Sequence, residues 1–139
     1  MFKKINFQFV LSYLGLFPLL VILLDYFFFK TLESNIVKDF FIFYSLIIFV
    51  FIGAVNWNLK EDISLLIVFI GFMPSLASVL IIVMFLFSFE VINYLIILFI
   101  VQLTLDYFIY REKNDIPIFY RLRIPLTFIV ILCLILIQL

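Results

Sequence analysis

The sequence predicts an all-α membrane protein: five transmembrane helices, N-terminus in and C-terminus out, joined by short loops. Three observations predict it. Of 139 residues, 68% are apolar and 13% charged, where a soluble domain is nearer half apolar and a quarter charged. The apolar residues form continuous runs rather than the alternation of a barrel strand. Lys and Arg are divided unevenly between the two sets of loops that these runs create. The same figures exclude a soluble globule, a disordered tail and a nucleic-acid binder.

A bilayer core of about 30 Å needs ~20 residues of apolar helix. In lipid a helix satisfies its own backbone hydrogen bonds, which an open strand cannot. Five runs qualify or nearly do, at about 8–29, 40–58, 63–87, 91–110 and 124–139, and they make one transmembrane domain over 1–139. The first follows Met1-Phe2-Lys3-Lys4 and so imitates a secretory signal. It is longer than an ordinary signal core and has no small-residue cleavage site after it, so it is read as a retained span. The second ends in Gly53-Ala54-Val55-Asn56-Trp57-Asn58, the third is interrupted by Pro74, and the fourth carries Gln102 and Asp106. The fifth is short, since Pro125 to Leu139 would span roughly 22 Å of helix. An interfacial turn of helix is expected from about Pro117, a residue suited to a first helical position, running into this span.

Orientation follows from the basic residues. Lys3, Lys4, Lys60, Arg111, Lys113, Arg121 and Arg123 fall on one side, and Lys30 and Lys38 on the other. The positive-inside rule places the richer side in the cytoplasm of a bacterial inner membrane, or alternatively in the matrix of a mitochondrion.

The chemistry on offer is narrow. The chain has no His and one Cys, Cys133. His-ligated haem or zinc and Ser-His or Cys-His catalysis each need an imidazole, and one Cys closes no intramolecular disulfide. No catalytic residue, metal or cofactor is expected. An intramembrane enzyme ranks last, because two-carboxylate chemistry would need Asp25 and Asp106, at opposite membrane faces.

Ionisable and polar residues within spans are functional candidates by default. Gln102 and Asp106 lie four apart and share one helix face. Arg121 and Arg123 begin the fifth helix at the same membrane side, so either could form a charge-assisted pair with Asp106. Asn56, Trp57 and Asn58 end the second helix on that side, with amides able to bond across helices and an indole suited to the interface. These seven residues could line one polar pocket, or merely clip helices together. Gly53, Gly71 and Ser75 are small enough for close helix approach. Pro18, Pro74 and Pro125 each remove a helix hydrogen bond and bend the chain. Gly15, with Ser12 and Pro18, gives the first helix the same small-residue and Pro character. Asp25, near the outer end of the first helix, is expected to snorkel to the surface or pair with Lys30.

Four segments carry a resemblance: Phe49-x-x-x-Gly53-Ala54-Val55-Asn56-Trp57; Met73-Pro74-Ser75-Leu76; Gln102-Leu103-Thr104-Leu105-Asp106; and Pro117-Ile118-Phe119-Tyr120-Arg121-Leu122-Arg123-Ile124-Pro125-Leu126-Thr127. In this order they resemble the bacterial and mitochondrial domain-of-unknown-function family 3429, that of human transmembrane protein 69. The resemblance covers most of the chain. It implies a small multi-spanning protein of bacterial inner or mitochondrial membranes, and no established activity. The family often carries a basic residue, frequently His, before the Trp and a Gly after it; here Asn56 and Asn58 stand there.

Two functions are expected from this reading. The first is an interaction or assembly protein, an accessory subunit in a membrane complex, whose partners are the lipid bilayer and other membrane proteins or further copies of itself. The second is a small oligomeric transporter or channel that uses the cytoplasmic-side polar pocket.

Overall fold

The computed structural model describes residues 7–57, 59 and 61–139. Five helices in it are long and apolar enough to cross a membrane: α1 (Phe7–Phe29), α2 (Ser34–Ala54), α3 (Leu65–Leu86), α4 (Ile92–Glu112) and α5 (Ile116–Leu136). No strand is present among the described residues. The chain is an all-helical membrane protein.

The helix limits differ from the hydropathy runs for physical reasons. α2 begins at Ser34, well before the apolar run that starts at Phe40, because a helix continues past the hydrocarbon while hydropathy marks only the part inside it. It stops at Ala54, where a tightened turn ends it before Trp57. The side chain of Ser64 caps the start of α3 by accepting from the backbone N–H of Ile67. α5 is a single helix from Ile116, so the turn around Pro117 is its first turn, and its length of 21 residues meets the ~20 that a bilayer needs.

Two helices depart from regular winding. α1 is broken at Gly15 and Leu16, just ahead of Pro18, and widens to i→i+5 bonding over Asp25–Phe29. The carboxylate of Asp25 lies at an exposed turn and forms no ion pair with Lys30. It accepts from the backbone N–H groups of Thr31 and Leu32 and from the Thr31 hydroxyl, and so holds the turn after α1. α5 widens in the same way over Phe119–Arg123.

The apolar core lies among α2, α4 and α5, with Phe41, Phe49, Leu95, Phe99, Val130 and Leu134 at its centre. The rings of Phe49 and Phe99 meet edge to face with centroids 5.1 Å apart. The most extensive helix pair is α2 with α3. Gly53 and Gly71 make it possible: a Cβ on Gly53 would lie 2.6 Å from the Gly71 carbonyl oxygen and 2.7 Å from the Pro74 ring. In lipid, where neighbouring chains are as apolar as Leu, such close backbone approach is a main source of helix association. α1 is peripheral. Only 11% of its membrane window is buried, against 28–44% for the other four.

Candidate functional site

The site is built at the end of the bundle where α2 gives way to α3. The last turn of α2 tightens, with the N–H of Asn56 bonding to the Gly53 carbonyl three residues back. The Ile52 carbonyl therefore loses its regular i+4 donor, as terminal carbonyls of helices do. Arg123 takes that donor's place: its Nη2 donates to the Ile52 oxygen at 3.2 Å. A cation here also faces the negative end of the α2 dipole.

The rest of the guanidinium is held by α4. Arg123 Nε donates to the Tyr110 hydroxyl at 3.1 Å and lies 3.9 Å from Asp106 Oδ2. The Arg123 Cζ stands 5.6 Å from the Tyr110 ring centroid, within cation–π range. The other carboxylate oxygen, Asp106 Oδ1, accepts from Asn56 Nδ2 and from Gln102 Nε2, each at 3.0 Å. Asn56, Gln102, Asp106 and Arg123 are 2%, 3%, 1% and 4% exposed. An ion pair this deeply buried persists only when its remaining polar atoms are also bonded, and the two amides, the phenol and the α2 carbonyl do this.

Four of the seven polar candidates thus meet: Asn56, Gln102, Asp106 and Arg123. Arg121 does not join them. Its side chain is exposed, and its role is carried by its backbone carbonyl. Trp57 stays outside the cluster as well. Its indole Nε1 donates to the Val68 carbonyl at 3.1 Å and covers Gly71, so that a Cβ there would stand 2.6 Å from Nε1. Asn58 lies outside the described residues, as do Lys3, Lys4 and Lys60.

The Pro and Gly candidates serve the frame. Pro125 has no N–H to offer the Arg121 carbonyl four residues back, and the Tyr13 hydroxyl donates to that carbonyl at 2.5 Å. The break at Gly15 before Pro18 is met in the same way, with the Tyr44 hydroxyl donating to the Gly15 carbonyl at 2.7 Å. Pro74 is buried against Gly53, and the Ser78 hydroxyl donates to its carbonyl at 2.7 Å. Ser75 is partly exposed on the same helix.

Sequence reasoning missed Tyr110, Tyr13, Tyr44 and the Ile52 carbonyl. Tyr110 carried a signal: it follows Asp106 by four residues, as Asp106 follows Gln102, so all three share one face of α4. Tyr13 and Tyr44 carried none, because they reach backbone atoms far along the chain. Among the described residues no three His, Cys, Asp or Glu side chains gather that could hold a metal ion.

The family described as protein of unknown function DUF3429 matches residues 6–139. The chain belongs to that family. The matched stretch takes in Asn56, Gln102, Asp106 and Arg123 and both helix-packing glycines. No curated protein and no solved structure matches the chain. Family membership therefore brings no established function, and any role must be argued from the site.

Proposed function

We propose that the protein is an interaction or assembly component of a membrane complex, an accessory subunit rather than a carrier of solute. The observation that supports this reading is the closure of the cluster. Asp106 and Arg123 are engaged by Asn56, Gln102, Tyr110 and the Ile52 carbonyl, with each member of the pair almost wholly buried. A transport site needs polar groups along a path, whereas here Asn56, Gln102 and Asp106 are enclosed, only the edges of Arg123 and Tyr110 meet a groove, and the set holds three helices in register. The weakly buried α1 then offers apolar surface for a neighbouring membrane protein.

The membrane is proposed to be a bacterial inner membrane, or the mitochondrial inner membrane as the alternative. The side rich in Lys and Arg would face the cytoplasm or the matrix. A tagged pull-down from native membranes in mild detergent, read by mass spectrometry and native mass, tests the role. A stoichiometric membrane partner is the expected result. A lone monomer, or a homo-oligomer without other partners, overturns it.

A second reading, a small oligomeric transporter or channel, draws on the break of α1 at Gly15 and on Pro74 within α3. Liposome flux that falls in Asp106→Asn would support it, and flux unchanged by that substitution would reject it.

A further inference from the structure

A groove of about 290 Å³ opens where α1 passes α2 and α5. Most of its wall is hydrocarbon, with Leu11 on α1, Ile47 and Phe51 on α2 and Leu126 on α5. Leu11, Ile47 and Phe51 are all well exposed and so face the lipid. The lining on α2 runs from Tyr44 to Val55, roughly 16 Å at 1.5 Å per residue. Gly15 and Ser12 keep the α1 side of the groove low.

The Ser12 and Tyr44 hydroxyls also line the groove, but each donates to a backbone carbonyl, of Gln8 and Gly15, so the uncommitted polarity gathers at one end. Arg123 lines the groove beside Ile52, whose carbonyl it holds, and Tyr110 lines it with Arg123. The Tyr110 oxygen accepts from Arg123 Nε, which leaves the phenolic proton for an outside acceptor. Asp106 is not part of the lining and stands behind the guanidinium. A molecule in the groove therefore meets the edge of the Asp106-paired guanidinium and a hydroxyl donor at the α2–α3 end, then a mostly hydrocarbon wall toward mid-membrane.

We propose that this groove binds one anionic phospholipid, with its phosphate on Arg123 and Tyr110 and an acyl chain along Ile47 and Ile48. Guanidinium is well suited to phosphate oxygens. A zwitterionic headgroup would bring a second cation into the same low-dielectric corner, where like charges repel strongly. The length and one-ended polarity of the groove fit an acyl chain attached to an anion. The proposal is independent of whether the protein serves in a complex.

The test equilibrates the full chain in mild detergent with equal amounts of phosphatidylglycerol and phosphatidylcholine of the same acyl chains, then reads retained lipid by native mass spectrometry. One phosphatidylglycerol is expected to stay bound, with a preference of about tenfold set by repulsion between the choline cation and Arg123, since both lipids present the same phosphate. Ser12→Phe fills the groove from α1 without touching Arg123 and should abolish retention. Asp106→Asn combined with Arg123→Gln keeps the cluster neutral and should erase the preference. If that double variant does not fold, Ser12→Phe decides alone. Equal retention of the two lipids by the wild type overturns the proposal, as does a preference that survives Ser12→Phe. Oleate that displaces phosphatidylglycerol and remains bound in its place overturns the assignment to a phospholipid.

Discussion

The side-chain amide of Asn56 stands 3.0 Å from the carboxylate of Asp106, across a separation of fifty residues in the chain. This bond ties the segment leaving α2 to the side of α4. Arg123 adds a second tie, from α5 to the Ile52 carbonyl of α2 and to Tyr110 and Asp106 of α4. Three helices are thereby fixed at one end by one carboxylate and one guanidinium.

Removing the carboxylate should be costly. Asp106→Ala leaves Arg123 buried without its counter-charge and strands two amide donors. The expected loss is about 2–4 kcal/mol, in the range for breaking a buried pair from one side. Asp106→Asn should cost less, because an amide can still bond to its neighbours. Reversible unfolding in mixed micelles measures both, and wild-type stability of the Ala variant would show that water reaches the guanidinium.

The two arginines of α5 should separate cleanly. Arg123→Lys replaces a planar fork with a point charge that cannot hold the Ile52 carbonyl and Tyr110 together. A loss of about 1–2 kcal/mol is expected, on the scale of one or two buried hydrogen bonds. Arg121→Lys leaves the backbone carbonyl that Tyr13 uses untouched and should change stability by less than ~0.5 kcal/mol. Equal losses in the same micelle assay would contradict the geometry.

Much of this arrangement was legible in the sequence, and the limits of legibility are physical. Five runs of apolar residues report the hydrocarbon thickness directly, so five helices could be read from them. Their ends could not, because α2 and α5 both extend beyond the apolar stretch. Helical spacing put Gln102 beside Asp106, and proximity at one membrane side brought Asn56 and the two arginines into view. Choosing Arg123 over Arg121 required the widened turn at Phe119–Arg123, which resets the facing of each residue in it and leaves no mark in composition. The Tyr13 and Tyr44 bonds depend on which backbone carbonyls are left without donors and on where α1 lies, and neither is encoded locally.

The glycine contact between α2 and α3 should rank its substitutions. A Cβ on Gly53 would meet the Gly71 carbonyl oxygen at 2.6 Å and the Pro74 ring at 2.7 Å, neither of which can swing aside. A Cβ on Gly71 would meet chiefly the Trp57 indole, a side chain that can turn away, although the Gly53 carbonyl is also near at 2.9 Å. Gly53→Ala is expected to cost about 2–3 kcal/mol and Gly71→Ala about 1–2 kcal/mol, in the span of overpacked cores. Trp57→Ala should relieve part of the Gly71→Ala cost and none of the Gly53→Ala cost. A thermal-stability series in detergent reads the ranking, and the reverse order would mean that the helices separate rather than the indole.

Tyr13 and Pro125 should be coupled although they belong to different helices. Pro125 deprives the Arg121 carbonyl of an N–H donor, and the Tyr13 hydroxyl supplies the bond instead. Tyr13→Phe therefore leaves that carbonyl without its hydroxyl donor, at a cost of about 1 kcal/mol. It also loosens α1, which has few other buried contacts, so the Phe7–Phe29 amides should exchange hydrogen faster. Pro125→Ala restores a backbone N–H four residues after Arg121. In that background Tyr13→Phe should cost clearly less, and the double-mutant cycle should return a coupling of at least ~0.5 kcal/mol. Additive losses would mean that the phenol holds α1 through its ring alone, and that the freed carbonyl is satisfied some other way.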